Sequence, residues 1–167
     1  TGRSMSQLLH AAEAMIKRSV NAGPTGRIIA CGTGATGAID KLQQILGVAL
    51  PPPTRRAVGE LLREFVGDDQ FGKFQHFHRA RQTVVFVGPY EHHSNEVTWR
   101  QGLATVVEVN LAPDGGVDLE HLEKLLKDPA YQGRLRIGSF SAASNVTGMR
   151  SPVSRIARLL HAHGAYA

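Results

Sequence analysis

Three short runs that read as strands, Thr83–Val87, Ala104–Val109 and Leu135–Phe140, alternate with segments of helical periodicity. That alternation constrains the fold more than any other feature of the chain. Thr83-Val84-Val85-Phe86-Val87 is apolar along nearly its whole length, as in a strand covered on both faces. Strands separated by helices predict an α/β fold: three-layer, with a mostly parallel sheet and helices on both faces. The helical pieces carry their own punctuation. Tyr90–Glu96 reads as a loop entering a short helix near Trp99. Pro113-Asp114-Gly115-Gly116 is a turn, and Asp118 is placed to cap a helix over Leu119–Leu126. Pro152 opens a helix that ends at His163-Gly164, with glycine at C′. Ala165-Tyr166-Ala167 reads as the start of a further strand.

The first half is organised around glycines. Ser6 to Val20 has an amphipathic helical pattern, with Leu8, Leu9, Ala12, Met15 and Ile16 on one side, and Asn21-Ala22-Gly23-Pro24 ends it. Arg27–Cys31 is an apolar run expected to form a buried strand, with Cys31 in the core. Gly32-Thr33-Gly34-Ala35-Thr36-Gly37 follows, then helical spacing over Ala38–Leu46. A strand, a glycine turn and a helix start make an anion site, because the first-turn N–H groups are free and the helix dipole favours negative charge. Read literally, the loop is the G-x-G-x-x-G of dinucleotide binding. That reading needs an acidic residue about 20 positions on, where this chain has Leu50-Pro51-Pro52-Pro53. A nucleotide P-loop would need Lys-Ser or Lys-Thr after the glycines, which is absent. The prolines make a rigid break, with Thr54 a candidate N-cap for a helix over Arg55–Phe65. Gly67–Gln82, rich in Phe and His, reads as irregular.

Composition narrows the partners. The net charge of +5 comes from scattered pairs such as Arg55-Arg56 and Arg134/Arg136, without aromatic interleaving. An anionic cofactor or substrate is expected, and no specific nucleic acid. No apolar run is long enough for a membrane span, and the N-terminus has no signal-peptide core. The single cysteine suits a reducing compartment, so the expected location is cytoplasmic.

Ligands of such sheets bind beyond the carboxyl ends of the strands. Three segments there carry chemistry: the glycine loop for phosphate, Glu91-His92-His93 for a flat imidazole, and Ser141–Gly148 for the Asn145 amide. His92-His93 lacks the i, i+4 spacing of a zinc helix, and no metal site is expected. Asn145 also fits a plain turn before Gly148.

The order Gly34-Ala35-Thr36, then Glu91-His92-His93-Ser94-Asn95, Asp114-Gly115-Gly116-Val117-Asp118-Leu119 and Ser144-Asn145-Val146-Thr147-Gly148 resembles the class V aminotransferases. These fold-type I pyridoxal-phosphate enzymes include the cysteine desulfurases and selenocysteine lyases. The resemblance runs from about Pro24 onward and is weakest over 51–82, which has the look of an insertion. It implies pyridoxal phosphate as cofactor and an amino acid as substrate, in a homodimer. Ala35 and Thr36 would bind the phosphate. His92 would stack on the pyridine ring as the catalytic candidate, and Asn145 would bond its phenolic oxygen. In the family, the aspartate that pairs with the ring nitrogen lies on the strand beginning here at Ala165. The Schiff-base lysine lies further on. The resemblance therefore implies a partial large domain over 1–167, truncated at both ends and inactive alone. It also implies that Arg27–Cys31 finds no partner strand within this chain. Two rivals remain at this point: a nicotinamide-binding Rossmann domain, in which the glycine-loop strand is central, and a non-catalytic module of the same fold.

Overall fold

The computed structural model describes residues 2–167. Its centre is β1 (Thr83–Val87), parallel to β2 (Ala104–Glu108) on one side and to β3 (Arg136–Ser139) on the other. Val85 is level with Val106 in β2 and with Ile137 in β3. Beyond β3, Tyr166 pairs in parallel with Ile137: its N–H donates to the Arg136 carbonyl (2.9 Å) and its carbonyl accepts from Gly138 (2.7 Å). The segment after Gly164 thus begins a fourth strand, as the sequence suggests.

Alternation along β1 divides the core into two. Val84 and Phe86 face Leu122 and Leu126 of α5 (Leu119–Lys127) and Ile156 and Leu160 of α6 (Val153–Ala162). Val85 and Val87 face Trp99 of α4 (His93–Gln101), with Val48 and Ile39 packed beside it. Ile39 belongs to α2 (Gly34–Ile45). Helices therefore cover both faces, in the three layers expected. Caps fix the joints. The Asp118 carboxylate accepts from His121 N–H (2.9 Å), and Gly164 takes a positive φ of 69° after α6. At the strand amino ends, the Arg136 guanidinium donates to the Leu126 carbonyl (2.9 Å) and the His163 carbonyl (2.5 Å), closing the C-termini of α5 and α6.

The N-terminal half departs from the sequence reading. Arg27–Cys31 belongs to no strand, and Cys31 is exposed rather than in the core. A strand is stabilised by its neighbour's hydrogen bonds, and among the described residues nothing pairs with this run. The Rossmann arrangement fails with it, since β1 and not the glycine-loop strand is central. The first helix, α1 (Gly2–Ser19), has no buried residue; Leu8, Met15 and Ile16 are exposed. Thr54 is not an N-cap. The third helix, α3, starts at Pro52 behind Pro51, because proline in a first turn loses no hydrogen bond. It continues to Arg79, so the segment read as irregular is helical. Only Gly67 breaks it, with φ 77° and ψ 163°. Phe71 then turns back on the first limb, under the Arg63 guanidinium (4.9 Å from the ring centroid) and 3.8 Å from where a Gly59 Cβ would stand. The spacing of Phe71, Phe74 and His78 was the helical signal in that segment.

Candidate functional site

Two helix starts point toward the carboxyl ends of the strands. The loop 88–92 leads straight from β1 into α4, so α4 begins at that end. Gln43 Nε2 donates to Thr98 Oγ1 (2.8 Å), and Leu103 N–H donates to the Val48 carbonyl (2.8 Å). Contacts that advance together along both segments mean that α2 and α4 run in the same direction. Their N-termini therefore lie at one end of the sheet. Ala35 and Thr36, exposed in the first turn of α2, are on the same side as His92. The backbone is shaped for close approach: Thr33 and Gly34 both have positive φ (63° and 66°). A Cβ on Gly37 would overlap the Gly32 carbonyl oxygen and stand 2.5 Å from Thr33 Oγ1. Gly34 opens α2, whose first-turn N–H groups have no intrahelical partner, an arrangement suited to an anion.

His92 is the N-cap of α4. Its Nδ1 accepts from Ser94 N–H (3.2 Å), with the Ser94 hydroxyl 2.8 Å away. An amide can donate only to an unprotonated nitrogen, so the neutral ring carries its proton on Nε2. The imidazole is exposed but held from behind. The His93 ring stands 6.4 Å away, tilted by 46°, so the two do not share a plane.

Asn145 lies exposed at the tip of a hairpin that follows β3. Ala143 and Arg150 bridge antiparallel, and Ser144 N–H donates to the Met149 carbonyl (2.8 Å). The turn is fixed by Ser144, whose Oγ accepts from Val146 N–H (3.3 Å) and Thr147 N–H (3.2 Å). The Asn145 amide is not consumed in holding the turn.

The polar network beneath these groups escaped the sequence reading. Both oxygens of the Glu91 carboxylate lie 2.9 Å from Ser141 N–H; Oε1 also accepts from Gly88 N–H (3.2 Å). Oε2 accepts from Asn95 Nδ2 (2.7 Å) and from Ser141 Oγ (2.6 Å). Gly88 has no Cβ because one would stand 2.6 Å from that carboxylate. Asn95, buried, also donates to the Ser139 carbonyl (3.1 Å) and accepts from Trp99 Nε1 (3.3 Å) and Ser139 Oγ (2.6 Å). Glu91 and Asn95 stand i, i+4 across the start of α4, the only hint in the sequence that they act together. Among the described residues no cluster of three or more His, Cys, Asp or Glu could hold a metal ion, and no helix is long and apolar enough to cross a membrane.

Comparison with known proteins gives a consistent set of likenesses. Residues 73–167 match the family model described as aminotransferase class-V. A probable cysteine desulfurase of Chlamydia muridarum is 42% identical over 86 residues, covering 49% of this chain and 20% of that protein. One of Halalkalibacterium halodurans is 34% identical over 85 residues, 48% of this chain and 20% of its own length. The cysteine desulfurase of Shigella sonnei is 33% identical over 91 residues, 52% of this chain and 21% of its own. The crystal structure of a NifS-like protein from Rickettsia africae matches 49% of this chain and 22% of its own, with 24% identity and a TM-score of 0.41. The chain thus spans about a fifth of the length of the curated relatives it matches.

Proposed function

Because this chain belongs to the class V aminotransferases, we propose that it supplies part of the pyridoxal-phosphate site of an enzyme acting on an amino acid. The observation that supports the reading is the parallel course of α2 and α4, which directs the start of the glycine-loop helix and the His92 end of α4 toward the same end of the sheet. The residues present suit the group. The first turn of α2, opening at Gly34 with its positive φ, offers the Ala35 and Thr36 amides and the Thr36 hydroxyl as donors to the phosphate. The His92 ring, anchored through Nδ1, offers its face to an aromatic ring without swinging away. The Asn145 amide, free of the turn, donates to the phenolic oxygen. When bound, pyridoxal phosphate supplies an electron sink for a carbanion at the amino-acid α carbon; this chain's own groups bind it, orient it and hold its oxygen.

Desulfurase-like chemistry on cysteine is the finer reading, supported by the relatives' descriptions, with a homodimer as the working assembly. On the same reading, residues 1–167 form part of the large cofactor-binding domain, and 51–82, the α3 hairpin, is an insertion in it. The test is titration of the protein with pyridoxal phosphate, followed by amide NMR, with inorganic phosphate as a second probe. The Ala35 and Thr36 amides should shift with both probes, and His92 ring signals only with pyridoxal phosphate. Thr36→Val should weaken both titrations. Shifts elsewhere, with Ala35 and Thr36 unmoved, would refute the site.

A further inference from the structure

Tyr90 and Glu91, the two residues before His92, grip both legs of the hairpin that carries Asn145. Glu91 takes the outgoing leg through the Ser141 N–H (2.9 Å) and hydroxyl (2.6 Å). The Tyr90 hydroxyl is 3.0 Å from Ser151 Oγ on the returning leg. Ser151 Oγ in turn donates across the base to the Ser141 carbonyl (2.6 Å), and Ser151 N–H donates to the Ala142 carbonyl (3.0 Å). The base of the hairpin is therefore a closed ring of hydrogen bonds that includes the backbone immediately ahead of His92.

We propose that Glu91 is a positioning residue, seconded by Tyr90: it locks the loop carrying His92 to the hairpin carrying Asn145 and so sets the spacing of those two groups. This rests on the pyridoxal-phosphate reading of the site. The chemistry of the grip is specific. Gly88 N–H, Ser141 N–H, Ser141 Oγ and Asn95 Nδ2 all donate to Glu91. Only an acceptor-only group satisfies four converging donors, and a carboxylate is the one side chain of this length that is. In Glu91→Gln, either orientation of the amide sets an NH2 against donors, at Gly88 and Ser141 or at Asn95 and Ser141. The fold's core does not pass through this carboxylate: both hydrophobic clusters are built without it. Loss of the grip should therefore loosen two loops and leave the sheet standing.

The experiment compares wild type, Glu91→Gln, Tyr90→Phe and Ser141→Ala by residue-resolved amide exchange without ligand. It then measures pyridoxal-phosphate affinity and the induced circular dichroism of the bound cofactor. Glu91→Gln should speed exchange at Gly88 and Ser141 about tenfold and shift the Asn145 and Gly148 amides, with β2 and α5 unchanged. Affinity should fall about tenfold, and the cofactor's dichroism should change, a signature of ring orientation that stability alone does not move. Tyr90→Phe and Ser141→Ala should give smaller effects in the same direction, and they carry the test if Glu91→Gln does not fold. Unchanged exchange in both loops overturns the proposal. So does faster exchange with unaltered affinity and dichroism, which would make the grip structural only. If the wild type binds no pyridoxal phosphate at Ala35 and Thr36, the cofactor reading falls; the coupling is then decided by whether the Asn145 amide and His92 ring signals of the ligand-free variants move together.

Discussion

Asn95→Ala tests the buried network most directly. Asn95 is 8% exposed, and its amide makes four hydrogen bonds, to Glu91, Ser139 and Trp99. The bond to the Glu91 carboxylate is charge-assisted and contributes about 1.5–3 kcal/mol; the neutral bonds contribute about 1 kcal/mol each. Alanine would orphan Trp99 Nε1 in a residue only 1% exposed. Water entering the space offsets part of the loss, so the expected destabilisation is about 3–5 kcal/mol. That is a large fraction of the ~5–15 kcal/mol stability of a typical domain. The sharper test is the double-mutant cycle with Trp99→Phe, which removes the orphaned donor. In the Asn95→Ala background that second substitution should cost about 1 kcal/mol less than in wild type. Urea unfolding followed by far-ultraviolet circular dichroism reads all four proteins; Trp99 is the sole tryptophan, so its fluorescence cannot. Additivity within about 0.3 kcal/mol would refute the Asn95–Trp99 bond and the reasoning built on it.

Gly88→Ala places a methyl 2.6 Å from Glu91 Oε1 and 3.3 Å from Phe140 Cδ1. It should cost about 2–4 kcal/mol by the same unfolding assay, from overpacking plus a weakened carboxylate bond; a neutral result would mean that the carboxylate does not sit there. On α5, the Lys127 ammonium, through its hydrogen bond and its charge, holds the Glu123 carboxyl below its usual value. A folded pKa below the unfolded one stabilises above the unfolded value, and the gain is lost as pH falls through the folded one. Glu123→Gln should thus be slightly less stable than wild type near neutrality and indistinguishable from it in strong acid, with high salt shrinking the difference. A difference that persists in acid would contradict the ion pair.

How far the sequence discloses this fold depends on what each signal needs from elsewhere in the chain. Thr83–Val87, Asp118, Gly164 and the strand start at Tyr166 were legible because each reports its own local surroundings: apolarity, a cap, a left-handed residue. Arg27–Cys31 was equally apolar, but a strand needs a partner, and composition does not say whether one is present. Cys31 followed that reading into a core that the described residues do not build around it. The first limb of α3 was legible over Arg55–Phe65, but the second limb was not, because a dense run of Phe and His after Gly67 suggested irregularity, whereas only Gly67 interrupts the helix. At the site, Thr36, His92 and Asn145 stood out as groups with chemistry to offer. Glu91, Asn95 and Ser141 did not, since their importance lies in contacts such as Glu91 to Ser141, 50 positions apart.

The order of the strands has a consequence for synthesis. β1 lies in the middle of the sheet, yet it is made first of the three. Its second neighbour, β3, ends at Ser139, about 50 residues later than Val87, which at roughly 5–20 residues per second is roughly 3–10 s of translation. Through that interval the five residues of β1 have one side bare, and before β2 emerges they have both. Thr83-Val84-Val85-Phe86-Val87 carries no charge and no proline to discourage pairing with another nascent chain. The segment that anchors the finished sheet is therefore the one most exposed to misassembly on the ribosome, where a chaperone that shields short apolar strands would have its greatest effect on yield.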